Sequence, residues 1–158
     1  MAAPLTGLRL LIVEDNYLIA SLIRQIFIAA GCIVPEPIPK LMQAQDAASH
    51  GDYDAAILDI DLNGEQVYPV SDILSGRNIP HFFLSGYGYH HLPLKYSGRQ
   101  KLGKPFKQAE LLDAVTMLVN AKNHKPGETP VRLLGGYSKL GGHSCRFLPL
   151  SPLGDTGR

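Results

Sequence analysis

The residues best placed to do chemistry in this chain are acids and a hydroxyl at the ends of apolar runs. Arg9-Leu10-Leu11-Ile12-Val13 leads straight into Glu14-Asp15, Ala55-Ala56-Ile57-Leu58 leads into Asp59, and Pro80-His81-Phe82-Phe83-Leu84 leads into Ser85. Each run is short and continuous, the pattern of a strand buried on both faces of a parallel sheet. The carboxyl ends of such strands open into one crevice near a topological switch point. Three carboxylates meeting there repel one another, and the arrangement is costly unless a cation neutralises them. Oxygen donors with room for water suit Mg²⁺, which takes one or two carboxylates and keeps several waters. A carboxylate beside such an ion can attack phosphorus and give an acyl phosphate. The metal and a lysine would spread the charge on the transferring oxygens.

The elements that must position these groups alternate along the chain. Asn16 can cap a helix whose apolar face includes Leu18, Leu22, Ile23 and Ile26, and Gly31 stops it. Cys32-Ile33-Val34 reads as a weak second strand, its exit crowded by Pro35, Pro37 and Pro39. Residues 40–49 read as a short helix, and residues 67–75 as another, with Pro69 tolerable in its first turn. Residues 89–98 are ambiguous, because Pro93 and two flanking glycines disfavour a long helix. Residues 99–102 can form a short fifth strand, and residues 107–121 form a helix with Leu111, Leu112, Val115, Leu118 and Val119 on one face. This alternation predicts an α/β fold, a doubly wound five-stranded parallel sheet with helices on both faces and right-handed crossovers.

Composition bounds the rest. A chain of 158 residues with 45% hydrophobic content can bury a core without staples. The two cysteines, Cys32 and Cys145, form no C-x-x-C pair, which argues against a disulfide scaffold or zinc ribbon and fits a reducing, cytoplasmic setting. No apolar run approaches the roughly 18 residues that span a bilayer, and the apolar opening lacks a basic leader. Residues 1–121 carry nine Lys/Arg against twelve Asp/Glu, a poor composition for binding nucleic acid. Residues 122–158 carry six against two, with seven Gly and four Pro and no periodicity. The expectation is a folded domain over 1–121 and a flexible basic tail over 122–158, without a helix-turn-helix pattern.

Glu14-Asp15, Asp59, Ser85 and Lys104-Pro105, in that order and spacing, resemble the receiver domain of two-component response regulators over about residues 8–119. The resemblance implies a flavodoxin-like sheet in the order 2-1-3-4-5. It makes Asp59 the phosphoacceptor, with Mg²⁺ bound by Glu14, Asp15, Asp59 and the backbone carbonyl of Asp61. Ser85 would be the switch hydroxyl, Lys104 would pair with the phosphoryl oxygens, and the Lys104–Pro105 bond would be cis. The partner would be a sensor histidine kinase or a phosphotransfer protein, docking near the start of the first helix, with output by protein–protein interaction or phosphate shuttling in a phosphorelay. Pro80-His81-Phe82-Phe83-Leu84-Ser85-Gly86-Tyr87 is also similar to the P-F-x-F-A-T-G-Y strand of the stand-alone FAT GUY receivers, which HWE-type kinases serve.

Two departures stand out. Lys101 occupies the position where many receivers carry a switching Tyr or Phe, with Tyr87 a candidate substitute, and the segment between Ser85 and Lys104 leaves little room for a fourth helix. His81 reads as a packed strand residue, while His90-His91 and His143-Ser144-Cys145 read as solvated. Two other functions compete. Asp59-Ile60-Asp61 formally matches the D-x-D of haloacid-dehalogenase-like phosphatases, although that motif usually follows the first strand and no downstream acidic pair completes it. A pseudo-receiver that binds partners without phosphorylation is the third, against which the complete acidic set argues.

Overall fold

A computed structural model describes residues 5–86 and 92–123. The strands are β1 (Leu10–Val13), β2 (Ala55–Asp59), β3 (Asp61–Leu62), β4 (Glu65–Gln66), β5 (His81–Ser85) and β6 (Lys101–Gly103). The helices are α1 (Tyr17–Ala29), α2 (Leu41–His50), α3 (Tyr68–Gly76) and α4 (Gln108–Lys122). Strands β1, β2, β5 and β6 form one parallel sheet in that order, and β3 and β4 form a separate antiparallel hairpin. The strand order is that of the expected flavodoxin-like sheet, with alternate strand residues feeding two cores. Leu10, Ile12, Ile57, Phe82 and Leu84 pack with Ile23, Phe27, Leu111 and Val115 on the α1/α4 side. Leu11, Val13, Leu58 and Phe83 pack with Ala44, Ala48, Val70 and Leu74 on the α2/α3 side.

Four strands rather than five make the parallel sheet, because the expected second strand is reduced to two isolated bridges, Arg9 with Ile33 and Val13 with Ile38. Ile33 exchanges bonds with Leu8 (2.8 Å) and Leu10 (3.0 Å), and Ile38 with Ile12 (2.9 Å) and Glu14 (3.1 Å). Pro35 and Pro37 lie between the two bridges and have no N–H to give a ladder. The segment still occupies the outer position beside β1, so the expected order holds.

Helix α1 starts as expected, with Asn16 Oδ1 accepting from the N–H of Leu18 (3.0 Å) and Ile19 (3.2 Å). It ends before Gly31, whose φ of +92° suits glycine. Its buried face differs from expectation: Ala20, Ile23, Ile26 and Phe27 face the sheet, while Leu18 and Leu22 are exposed. At about 100° per residue, Leu18 and Leu22 lie on the far side of the helix from Ala20 and Phe27. In place of a fourth helix between β5 and β6, the described residues hold one 3-10 turn, Leu94–Tyr96. The Tyr96 ring is buried there, stacked on Tyr68 at 4.5 Å between centroids and edge-on to Phe83.

His81 is packed in strand β5, as its alternation implies. Its ring is buried, with Nε2 2.7 Å from Ser71 Oγ and Nδ1 3.0 Å from the Ile79 carbonyl. A carbonyl can only accept, so Nδ1 carries the proton and Nε2 accepts from the Ser71 hydroxyl. Burial holds the His81 pKa below its ordinary value. The stability owed to neutral His81 is therefore present above the unfolded-state pKa and is lost as pH falls through that value toward the lower folded one. His81→Phe is expected to cost about 1–3 kcal/mol near neutral pH by stranding buried partners. It should also flatten the stability loss on mild acidification, measured by urea unfolding between pH 7 and pH 5.

Candidate functional site

Strand register alone brings the polar groups together. Val13 pairs with Leu58, which places Glu14 at the level of Asp59 on the next strand. Asp59 pairs with Leu84, one residue short of Ser85, and Ser85 pairs with Gly103, one residue short of Lys104. The Lys104 N–H continues this ladder by donating to the Ser85 carbonyl at 2.8 Å. The Lys104–Pro105 bond is cis, as the resemblance implied.

Lys104 is the hub of the side chains. Its Nζ donates to Glu14 Oε2 at 2.7 Å and lies 3.1 Å from Asp59 Oδ2. Glu14, 1% exposed, also accepts the Asn16 N–H through Oε1 at 3.0 Å. Asp15 is half-buried and accepts the Asn63 N–H through Oδ2 at 3.2 Å. Glu14, Asp15 and Asp59 each bring a carboxylate oxygen to within 4.8 Å of the others. Two of these acids are almost wholly buried against one lysine, so negative charge is in excess. Burial first, then the charge of Glu14, pushes the Asp59 pKa up to about 7 against the opposing pull of Lys104. Burial alone would lower the Lys104 pKa, but the Glu14 hydrogen bond and the Asp59 charge outweigh it and raise it. An all-oxygen, over-acidic cluster of this kind fits a hard divalent cation.

The other expected site residues fall as follows. Ser85 is buried at the end of β5, on the strand next to Asp59. Asp61 opens the β3–β4 hairpin, where its Oδ1 accepts the Gly64 N–H at 2.6 Å. Lys101 is exposed on β6, so the position of the usual switching aromatic holds a surface lysine. Tyr87, His90, His91, His143, Ser144, Cys145 and the expected tail beyond residue 123 lie outside the described residues. Sequence reasoning missed the hairpin itself. Its signal was the Asn63-Gly64 dipeptide, whose φ values of 54° and 89° are both positive, as a two-residue hairpin turn of the I′ type demands. Beside Lys104, Ile19, Leu22, Pro105 and Phe106 line a shallow apolar depression.

No protein-family model matches the chain, and no curated protein matches it. Solved structures do. SdrG from Sphingomonas melonis Fr1 is 31% identical, with a TM-score of 0.61 over 75% of this chain and 97% of that one. The receiver domain of the sensor histidine kinase PA1611 from Pseudomonas aeruginosa PAO1 is 25% identical, with a TM-score of 0.64 over 73% of this chain and 99% of that one. That structure holds a magnesium ion in its active-site cleft. A response regulator receiver protein from Sinorhizobium medicae WSM419, 23% identical, shares the fold at a TM-score of 0.63 over 73% of this chain and 97% of that one.

Proposed function

We propose that this chain, which belongs to the response-regulator receiver family, works as a phosphorylation switch in which Asp59 accepts a phosphoryl group from a phosphohistidine donor. The observation that carries the reading is the juxtaposition of Asp59 with Lys104 at 3.1 Å and with the carboxylates of Glu14 and Asp15. A carboxylate oxygen of Asp59 attacks phosphorus in line with the donor's N–P bond. That bond breaks, its electron pair stays on the imidazole nitrogen, and the leaving imidazole takes up a proton. Lys104 would meet the charge of the incoming phosphoryl oxygens. Bound by Glu14, Asp15, Asp59 and the Asp61 carbonyl, Mg²⁺ would neutralise the acids and the transferring oxygens. Ser85 would bond the phosphoryl group once it is in place.

The donor would be a sensor histidine kinase, of the HWE type if the FAT GUY similarity extends to partners, or a phosphotransfer protein. The exposed Tyr17, Leu18 and Leu22 of α1 and the apolar depression at Pro105 and Phe106 border the site and offer it a surface. Output would be a protein contact or onward phosphate transfer. Among the described residues, no helix is long and apolar enough to cross a membrane. The phosphatase alternative finds less support, since the Asp61 carboxylate is engaged by the Gly64 N–H in a turn.

Incubation with acetyl phosphate and Mg²⁺ tests the reading. Phos-tag gels should show one shifted, hydroxylamine-sensitive species, and borohydride trapping should map it to Asp59. No label, or label at another residue, would sink the proposal.

A further inference from the structure

The β3–β4 hairpin is small, yet it is held from several sides. Leu62 and Val67 are buried in the α2/α3 core, and the Val67 N–H donates to the Ile60 carbonyl at 2.9 Å. The Asp61 carboxylate fastens the turn through Gly64, and both turn residues take positive φ. The tip of this construction reaches across 48 residues of sequence to Asp15, through the N–H of Asn63 at 3.2 Å. Glu14 is nearly inaccessible and tied to Lys104 and Asn16. Asp15 is the more exposed of the two acids, and it accepts from Asn63, a residue outside the β1–α1 turn.

We propose that the Asn63-Gly64 turn is a positioning device for the cation site, its backbone N–H holding Asp15 in the rotamer that joins Glu14 and Asp59. The proposal rests on the functional reading above and deepens it. The relevant group is a main-chain N–H, so its direction depends on φ and not on the Asn63 side chain. Glycine accepts that φ freely, whereas a β-branched residue resists it. Gly64 offers a second handle: a Cβ there meets nothing within 4 Å, so Gly64→Ala strains the turn without a clash.

The test is a Mg²⁺ titration of the full chain followed by amide NMR, with thermal unfolding recorded in parallel. Losing one such hydrogen bond should weaken Mg²⁺ binding about 3- to 10-fold in Asn63→Val and in Gly64→Ala. Asn63→Gly should stay within about twofold of the native affinity, because the turn and its N–H survive. In metal-free protein, Asp15→Ala should speed hydrogen exchange at the Asn63 amide. Native affinity in both Asn63→Val and Gly64→Ala, an equal loss in Asn63→Gly, or unchanged Asn63 exchange in Asp15→Ala would each overturn the proposal. A purely structural role would lower the melting point and leave affinity alone, which also overturns it. Absence of any Mg²⁺-dependent shift in the native chain is a separate failure, that of the functional reading.

Discussion

In Asp59→Asn, the metal-free protein at pH 7.5 is expected to melt about 3–10 °C above the native chain, while acetyl phosphate labelling disappears. The gain follows from the site's charge. Burial and Glu14 raise the Asp59 pKa from 3.8 to about 7, so between those values the folded state holds a proton that the unfolded chain has released, and at pH 7.5 the native site carries the charge at a cost. That stabilisation is fully present below the unfolded pKa and is lost as pH rises through about 7. At roughly 1.4 kcal/mol per pKa unit the upper bound is about 4 kcal/mol, and sharing of the proton with Glu14 brings the expected gain to about 1–3 kcal/mol. The amide removes the charge and keeps the shape. Excess Mg²⁺ should narrow the difference, since a cation that binds only the folded native site stabilises it by mass action. Scanning calorimetry at pH 5 and 7.5, with and without Mg²⁺, reads all of this. A variant that melts at or below the native temperature at pH 7.5 would contradict the charge crowding described here.

Lys104→Met carries the opposite sign. Among the described residues Lys104 is the cation that bridges Glu14 and Asp59, and its side chain is 17% exposed. Methionine keeps most of the apolar stem and deletes the charge, leaving two buried carboxylates face to face. Breaking a buried pair in this way is expected to cost about 2–4 kcal/mol at pH 7.5. The cost should shrink near pH 5, where a proton on Asp59 relieves the same repulsion, and the Asp59 pKa itself should climb above its native value of about 7. Urea unfolding at the two pH values checks the first statement, and carboxyl NMR titration checks the second. Equal losses at pH 5 and 7.5 would mean that Lys104 matters for packing rather than for charge. Phosphoryl transfer from acetyl phosphate should fall as well, because the group that meets the incoming oxygens is gone.

Much of this site was legible in the sequence because Glu14-Asp15 follow a buried strand directly and Asp59 and Ser85 each close one. Apolar runs ending in Glu14-Asp15, Asp59 and Ser85 announce both the strand and the side of the sheet on which it ends. Asn16 as a cap could likewise be read from residue type and position, whereas the cis Lys104–Pro105 bond was expected only from the resemblance. What was not legible depends on tertiary context. The apolar spacing of α1 admits two faces, and only the sheet decides that Phe27 is buried and Leu18 is exposed. The second strand read as weak from Cys32-Ile33-Val34 and its prolines, but how far those missing N–H donors reduce it, to two isolated bridges, shows only against β1. The hairpin at Asn63-Gly64 was readable from its turn dipeptide, but its two-residue strands are too short to show any period. The buried Tyr96 was hidden for another reason, since it lies on a 3-10 turn in a stretch whose glycines and proline argue against regular structure.

The proline-bearing segment beside β1 has a consequence for how molecules meet. A sheet margin with a full row of amide donors is a template on which a neighbouring chain can add a strand and begin to aggregate. On this margin Pro35 and Pro37 break that row. The opposite margin among the described residues is β6, three residues long, with Lys101 exposed on it. Short length and a charge are the means by which natural sheets discourage edge-to-edge growth. Both flanks are thereby guarded, and concentrated solutions of the folded protein should resist β-type self-association.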